Sequence, residues 1–96
     1  MQYGGCVYII TNKTNTVLYT GVTSNLHARI TEHRDKKHPS SFTAKYNCCK
    51  LIYYEFYPRI EEAITRETQM KRWKREWKEK LIGVTNPNWI DLYDSL

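Results

Sequence analysis

The chain has 96 residues, 41% hydrophobic and 26% charged, which is the size and composition of one globular domain spanning residues 1–96. Fifteen Lys and Arg residues exceed ten Asp and Glu residues, and the net charge of +5 favours an anionic partner such as nucleic acid, an acidic protein or a membrane surface. The apolar runs are far shorter than a membrane span, and the N-terminal MQYGGCVYII lacks a basic region before its apolar stretch, so we expect neither a membrane protein nor a signal peptide.

The first predicted element is a β-hairpin. Residues 6–10 and 17–20 are short runs rich in β-branched and aromatic side chains, and the polar segment 11–16 with its turn-forming asparagines separates them. If the chain reverses in the middle of that segment, Tyr8 lies directly opposite Tyr19, and the two phenols share one face of the sheet. The pair is then either part of a site or a cross-strand aromatic contact in the core.

The elements after the hairpin are predicted mainly as helices. The second strand ends at Gly21. Five further elements follow. The first is a helix from Ser24 or Asn25 to about Lys37, and the second is a strand at 50–57 after a loop at 39–47. Two more helices come from a helical segment that runs from about Ile60 to Ile82, bends near Trp73 and stops at Gly83, and the last is a short helix capped by Asn86-Pro87-Asn88. This order, β-β-α-β-α-α-α, has no regular β-α-β alternation. It predicts an α+β fold in which a three-stranded antiparallel or mixed β-sheet is flanked by helices.

Two polar residues of the first predicted helix lie beside its apolar stripe. Arg29 and His33 are four residues apart and share one face, next to Leu26 and Ile30. Either both side chains point toward the sheet, or they form a solvated helix edge, because a single Arg or His on a helix is commonly exposed.

Glu67 interrupts the apolar stripe of the second long helix. Ile60, Ala63, Ile64 and Met70 follow the i, i+3, i+4 rhythm of a buried face, and Glu67 occupies a slot where an apolar residue is expected. A carboxylate on a buried face costs free energy unless it is paired or bound to a metal. The alternative to a metal site is a salt bridge to one of three bases: Arg29, Arg66 or Lys71.

Basic residues and tryptophans alternate between residues 66 and 80. Met70, Trp73, Trp77 and Leu81 lie at helical spacing, so both tryptophans are predicted to be core residues. A basic face can hold a phosphate backbone without reading its sequence, and it can equally be a solvated charged surface. The candidate nucleic-acid-binding residues are Arg29, Lys71, Arg72, Lys74 and Arg75.

The three cysteines suggest a reducing compartment. Cys6, Cys48 and Cys49 are an odd number, two of them are adjacent, and none forms a CxxC pair, so a zinc site is not expected. We therefore expect three reduced thiols in a cytoplasmic protein.

Together these segments resemble a known family. Cys6-Val7-Tyr8-Ile9-Ile10, followed eleven residues after Tyr8 by Tyr19-Thr20-Gly21, resembles the paired motifs that name the GIY-YIG nuclease superfamily. The helical segment 26–33 matches the pattern after those motifs, and the segment 86–92 is similar to the ending of small stand-alone bacterial members. The resemblance covers nearly the whole chain in order, and it extends to the N-terminal nuclease domain of a DNA-repair excinuclease.

The resemblance implies a DNA endonuclease that uses one divalent cation, Mg²⁺ or Mn²⁺. Tyr8 and Tyr19 would flank the attacking water, and Arg29 would stabilise the charge on the scissile phosphate. His33 would hydrogen-bond a tyrosine or assist proton transfer, and Glu67 would hold the cation. A phenol with a pKa near ~10 is a poor base, so the general base is left open among Tyr8, Tyr19 and His33.

Further implications and alternatives complete the sequence-based expectations. Asn86 is a weaker candidate for a late polar site residue, with Asn88 as its competitor. The expected partner is DNA, with branched or structured DNA as one option, and no membrane. The alternative functions are a non-catalytic basic nucleic-acid-binding module and a protein adaptor that uses exposed aromatics among Tyr53, Tyr54 and Tyr57.

Overall fold

A computed structural model describes residues 4–96, and an antiparallel three-stranded sheet organises them. Residues 1–3 lie outside the described part. They belong to the N-terminal segment in which no signal peptide is expected. In chain order the elements are β1 (Gly5–Thr11), β2 (Leu18–Thr23), α1 (Leu26–Arg34), α2 (Phe42–Lys45), β3 (Lys50–Tyr57), α3 (Ile60–Lys71), α4 (Arg75–Thr85) and a final 3₁₀ turn at Tyr93–Ser95. The strand order is β2-β1-β3 and both pairings are antiparallel, which confirms the predicted α+β class.

β1 is the central strand, and it is buried along its whole length because helices cover both faces of the sheet. Cys6, Tyr8 and Ile10 point to the face that packs against Leu26 and Ile30 of α1. Their neighbours in β1 point to the other face, which packs against α3 and α4 through a second cluster: Val7, Ile9, Ile52, Tyr53, Ala63, Met70 and Ile82. The period-2 alternation of a strand thus places Tyr8 on the α1 face.

The hairpin register differs from the prediction by two residues. Tyr8 pairs with Gly21, and Tyr19 pairs with Ile10. The reversal is displaced because the Asn12 side chain accepts hydrogen bonds from the backbone N–H groups of residues 16 and 17, at 2.8 and 3.0 Å, and Asn15 adopts a left-handed φ of 59°. A shift of two residues preserves the face, so both phenols still point to the α1 side.

Several element boundaries also differ from prediction. β2 continues past Gly21 to Thr23. The first helix ends at Arg34 rather than near Lys37, because Lys36 takes a left-handed φ of 51°. The predicted loop at 39–47 contains the short helix α2, whose N-cap is Ser41.

The predicted bend near Trp73 is a break between two helices, α3 and α4. The break reorients the second half of the basic segment, so Trp77 is 51% exposed and not a core residue. Ile64, a member of the predicted buried stripe of α3, is 47% exposed. Trp73 itself packs partly buried against the α3 face of the core.

The C-terminal segment departs most from the prediction. Gly83 lies inside α4, which runs to Thr85 and ends before Pro87. No helix follows Asn86; Trp89 takes a φ of 52°, and the described chain adds only the 3₁₀ turn. Across residues 4–96, none of the helices is long and apolar enough to cross a membrane.

Candidate active site

Tyr8 is the centre of the polar cluster on the α1 face. Its ring is buried, and its hydroxyl lies 2.9 Å from Nε2 of His33. The ring lies over Gly21 so closely that a Cβ at that position would be 2.4 Å from both Cζ and the hydroxyl. Gly21 is therefore required by the close approach of the Tyr8 ring, since no larger residue fits under it.

His33 connects Tyr8 to a chain of hydroxyl groups. Its Nδ1 lies 2.9 Å from Oγ1 of Thr43, which is 3.3 Å from Oγ of Ser41. Burial, assisted by the nearby Arg29 cation, lowers the pKa of His33 to about 4, so the imidazole is neutral at pH 7. A neutral imidazole has one nitrogen that donates and one that accepts, so one of its two neighbours, Tyr8 or Thr43, donates to the ring and the other accepts from it.

The protonation of Tyr8 favours one direction for that link. Burial raises the pKa of Tyr8 to about 12, although the adjacent Arg29 guanidinium lowers it. The phenol therefore keeps its proton at neutral pH. With Nε2 of His33 as acceptor, the Tyr8 hydroxyl donates to the imidazole, and Nδ1–H donates to Thr43 Oγ1.

Tyr19 stands on the same face and opens toward the surface. Its ring centroid is 6.5 Å from that of Tyr8 and 6.0 Å from that of His33. On its outer side it stacks with Phe42 of α2 at 6.0 Å, with an angle of 28° between the planes. The three rings of Tyr8, Tyr19 and His33 thus meet in one place, although strand pairing does not put the phenols directly opposite each other.

Arg29 faces the sheet, next to Tyr8. A hydrogen-bonding contact with the Tyr8 hydroxyl raises the pKa of Arg29, so the guanidinium is a permanent cation there. Its NH1 also pairs with Oε1 of Glu32 at 3.0 Å. The guanidinium is about one-third exposed, which leaves a positive group accessible at the site.

Glu67 approaches the same site from α3, and 14% of its side chain is exposed. Its carboxylate acts on Tyr8 by raising the pKa of the phenol. Oε2 is 3.2 Å from Nζ of Lys71, and that ammonium is 6.0 Å from the Tyr19 ring centroid. Of the three salt bridges considered from the sequence, the one to Lys71 is present.

A hard divalent cation fits the donor set at Glu67. Within residues 4–96 no cluster of three or more His, Cys, Asp and Glu side chains could enclose a metal. Mg²⁺ is commonly held by one or two carboxylates and keeps most of its waters, and substrate phosphate completes its shell. Glu67 is the residue that would hold such an ion, and the side chain of Lys71, its ion-pair partner, is 51% exposed.

A cavity of about 200 Å³ lies beside this cluster. Its lining includes Tyr19, Arg29 and His33 together with residues that sequence reasoning missed: Lys36, His38, Ser41, Phe42 and Thr43. A signal for the α2 residues was present, because Ser41 precedes a short helix-compatible stretch and caps it by accepting a 3.3 Å hydrogen bond from Ala44 N–H.

The side chain of Asn86 is buried and hydrogen-bonded to backbone groups. Its side-chain Nδ2 donates to the carbonyl oxygens of Ile52 and Ile90 at 3.1 and 2.8 Å, and its Oδ1 accepts from Ile90 N–H at 3.0 Å. Both amide hydrogens are therefore used by the backbone. The residue ties the C-terminal segment to β3, on the far side of the sheet order from β2.

The basic residues at the α3–α4 junction divide into two groups. Arg75 donates to the carbonyl oxygens of Asn15 and Thr16 at 2.7 and 2.8 Å and pairs with Glu79, so its guanidinium is engaged within the protein. Arg72 and Lys74 are exposed, and neither forms an ion pair with any other residue that the structure describes. These two remain accessible to a phosphate backbone.

The tyrosines of β3 are not a free aromatic surface. Tyr53 is buried, and the hydroxyls of Tyr53 and Tyr57 both donate to the Glu55 carboxylate. Arg66 pairs with the same carboxylate through two hydrogen bonds of 3.0 and 3.1 Å. The expected exposure of these tyrosines is wrong, because a polar network behind the sheet holds two of them.

Comparison with known proteins identifies the family to which this chain belongs. Residues 4–80 match the model of the GIY-YIG catalytic domain. A UPF0213 protein of Staphylococcus haemolyticus is 38% identical over 79% of this chain and 90% of its own, and one of Clostridium perfringens is 40% identical over 80% of this chain and 81% of its own. The solution NMR structure of the UPF0213 protein BH0048 from Bacillus halodurans superposes with a TM-score of 0.57 at 28% identity, covering 91% of this chain and 90% of that one. The name UPF0213 states no activity, but the family model spans most of the chain, and the chain belongs to the GIY-YIG family, a superfamily of nucleases.

Proposed function

We propose that this protein is a divalent-metal-dependent endonuclease that hydrolyses phosphodiester bonds in DNA. The observation that carries the proposal is the hydrogen bond between the buried Tyr8 hydroxyl and His33, with Arg29 beside the same hydroxyl. A neutral imidazole next to a protonated phenol and a fixed cation is a proton-accepting system beside an anion-binding group.

Tyr8 and His33 act together as the general base. Because burial keeps the Tyr8 phenol protonated, with a pKa of about 12, Tyr8 relays a proton and does not lose one beforehand, and His33 is the acceptor at its hydroxyl. As a water attacks phosphorus, its proton passes to the Tyr8 oxygen while the phenolic proton passes to Nε2 of His33. The Nδ1–H bond to Thr43 holds the ring in the tautomer that can accept this proton.

Arg29 and Glu67 supply the electrostatic part of the site. Arg29 donates to a non-bridging phosphate oxygen, and its permanent charge stabilises the dianionic transition state. Glu67 would hold the divalent cation, which would replace Lys71 as the partner of the carboxylate. When bound, the cation supplies Lewis-acid neutralisation of the phosphate and of the leaving oxygen. Tyr19, with its hydroxyl-bearing ring 6.5 Å from Tyr8, orients the water from the other side.

Nuclease assays on the purified protein test the proposal directly. Supercoiled, branched and single-stranded DNA are incubated with Mg²⁺ or Mn²⁺, and product is quantified on gels. We expect Glu67→Gln, Arg29→Ala and Tyr8→Phe each to slow cleavage by about 100-fold or more, the usual effect of removing one electrostatic or proton-transfer group.

Matched variants outside the pocket serve as controls. Glu61→Gln and Arg59→Ala remove an exposed acid and an exposed base that pair with each other at 3.6 Å, and they should leave cleavage unchanged. An absence of cleavage by the wild-type protein, or full activity of the Glu67 and Arg29 variants, contradicts the proposal.

The accessible cations Arg72 and Lys74 support a second candidate, a non-catalytic nucleic-acid-binding module. That function predicts salt-sensitive binding with no metal requirement, which survives Glu67→Gln and weakens in the Arg72→Ala/Lys74→Ala double variant. Binding without cleavage on every substrate would favour it. A cytoplasmic location and a role in DNA repair stay predictions from the sequence.

A further inference from the structure

Two aromatic rings of α2 are exposed beside the candidate active site. Phe42 is 49% exposed and Tyr46 is 42% exposed, and their ring centroids are 4.7 Å apart. The helix turns these residues outward because Thr43 and Ala44, on its other face, are buried. Large rings of this kind are costly to leave in water, and the fold does not use them as core residues.

The rings of α2 are continuous with the site. Phe42 stacks on Tyr19 at 6.0 Å, and both residues line the cavity that also contains Arg29 and His33. Tyr19, Phe42 and Tyr46 therefore form a row of rings that leads from the proposed position of the phosphate to the surface. We call Phe42 and Tyr46 the aromatic shelf.

The charge around the aromatic shelf suits a polyanion. Residues 34–46 contain four Lys and Arg residues against one Asp. The Lys45 ammonium lies 5.7 Å from the centroid of the Tyr46 ring, and Lys36 and His38 line the cavity next to Phe42. Exposed aromatics interleaved with cations are the pattern by which proteins bind single-stranded nucleic acid, with bases on the rings and phosphates on the cations.

We propose that the aromatic shelf binds an unpaired nucleobase of the strand whose phosphate occupies the Tyr8 site. A base inside a duplex has both faces covered by its neighbours, so only an unpaired base offers a free face to Phe42 or Tyr46. The substrate class is therefore nucleic acid that is single-stranded or locally unpaired next to the cut. This inference rests on the proposed function for the position of the phosphate, whereas the stacking itself does not require cleavage.

Binding without metal separates the aromatic shelf from catalysis. The affinity of the protein for a fluorescein-labelled single strand is measured by fluorescence anisotropy in EDTA. The strand has about 12 nucleotides, which is a length that one small domain can bind. The same sequence is tested as a duplex, as RNA, and as a strand in which abasic sugars replace the bases. Removing one stacking ring costs roughly 5- to 150-fold in affinity for a single strand.

We expect Phe42→Ala and Tyr46→Ala each to weaken single-strand binding within that range and to change duplex binding less than about twofold. Phe42→Trp should restore binding, because it keeps a stacking surface. The wild-type protein should bind the abasic strand at least as weakly as Phe42→Ala binds the intact one. Trp77→Ala, which removes an equally exposed ring on α4, is the matched control and should bind like wild type. Comparison of the DNA and RNA strands shows which backbone the site accepts.

Three results would overturn the inference. The first is an equal loss of duplex and single-strand binding in Phe42→Ala, and the second is undiminished binding of the abasic strand. The third is a wild-type protein that sediments as a dimer and a Phe42→Ala variant that sediments as a monomer, because the aromatic shelf would then be a contact between copies of this chain. If Phe42→Ala fails to fold by circular dichroism, Tyr46→Ala and the abasic strand on wild-type protein still decide. If single-strand binding depends on the aromatic shelf but the protein cleaves no DNA, only the nuclease proposal is refuted. If the protein cleaves DNA but single-strand binding does not depend on the aromatic shelf, only this inference is refuted.

Discussion

Gly21→Ala is a sharp perturbation of the site because a single methyl group would enter the space of the Tyr8 ring. The added Cβ would lie 2.4 Å from Cζ and from the hydroxyl of Tyr8, about 1 Å inside ordinary van der Waals contact. The ring is buried and its hydroxyl is bonded to His33, so it has no free direction in which to move. A displacement of about 1 Å would stretch the 2.9 Å hydrogen bond beyond hydrogen-bonding range.

The magnitude follows from overpacking in a dense core. Adding a methyl group to a filled site costs about 1–3 kcal/mol of stability. Gly21 does not have a positive φ, so backbone strain in the alanine variant adds nothing to this figure. For a domain of this length, each 1 kcal/mol lowers the melting temperature by roughly 4–8 °C. Loss of the bond to His33 should also reduce cleavage, because the phenol would be separated from its proton acceptor.

Gly83→Ala is the matched control. Gly83 lies inside α4, and apart from its chain neighbours and the backbone of its own helix no heavy atom lies within 4 Å of the place that a Cβ would take, so the same chemical change meets open space. Alanine in a helix interior is about 0.5–1 kcal/mol more favourable than glycine, and we expect this variant to be slightly more stable than wild type. The two substitutions should therefore change the free energy of unfolding in opposite directions.

Urea denaturation followed by tryptophan fluorescence measures both variants on the same scale. The reasoning is refuted if Gly21→Ala unfolds at the wild-type urea concentration, or if both variants lose stability equally. A stable Gly21→Ala variant with full cleavage activity would show that the Tyr8 ring can move, and the proposed role of the bond to His33 would fall with it.

Three other predictions concern individual polar contacts. The pKa of His33 is about 4 in the folded state and 6.5 in the unfolded state, so the unfolded chain binds more protons between these two pH values. The free energy of unfolding should therefore fall as the pH drops from about 6.5 to about 4. His33→Gln should reduce this pH dependence when urea denaturation is repeated across the range. Lys71→Ala removes the ammonium 3.2 Å from the Glu67 carboxylate, so Mn²⁺ should bind several-fold more tightly by electron paramagnetic resonance, and unchanged or weaker binding would contradict the proposed metal ligand. Asn86→Ala should cost about 1–3 kcal/mol in urea denaturation because it strands buried backbone groups, whereas the exposed Asn88→Ala should stay within about 0.5 kcal/mol of wild type.

Elements with a strong local pattern were predictable from the sequence. The strand at 50–57 has the predicted bounds, because its β-branched and aromatic run is closed by Pro58. Asn25 was one of two predicted caps, and its side chain accepts from Ala28 N–H at 3.1 Å. In both cases neighbouring residues in the chain carry the whole signal.

Elements set by tertiary contacts were not predictable in the same way. α2 has four residues, too few for a periodic pattern, and it is held by the bond from Thr43 to His33. The break between α3 and α4 has no Gly or Pro to mark it. There Trp73 packs against the core on the α3 face of the sheet, and that tertiary contact has no marker in the local sequence.

The candidate site combines both kinds of information. Helical periodicity put Arg29 and His33 on one face, but it left open whether that face was solvated. The contacts of both residues with Tyr8, more than twenty positions earlier in the chain, answer that question and could not be read from spacing. The family resemblance is the part of the sequence analysis that carries this long-range information.

The hairpin shows why the two phenols met although their predicted pairing was wrong. Side chains on a strand alternate between faces, so what places Tyr8 and Tyr19 together is an even offset, and the displacement of the reversal by the Asn12 loop is two residues. An odd offset would have turned Tyr19 toward α3, where the core is apolar. The observed offset also pairs Tyr8 with Gly21 and not with Tyr19, so the Tyr8 ring lies close to the Gly21 backbone and its hydroxyl reaches His33. The glycine of the Tyr19-Thr20-Gly21 motif therefore acts together with Tyr8 of the first motif, and this contact joins the two halves of the paired motif in space.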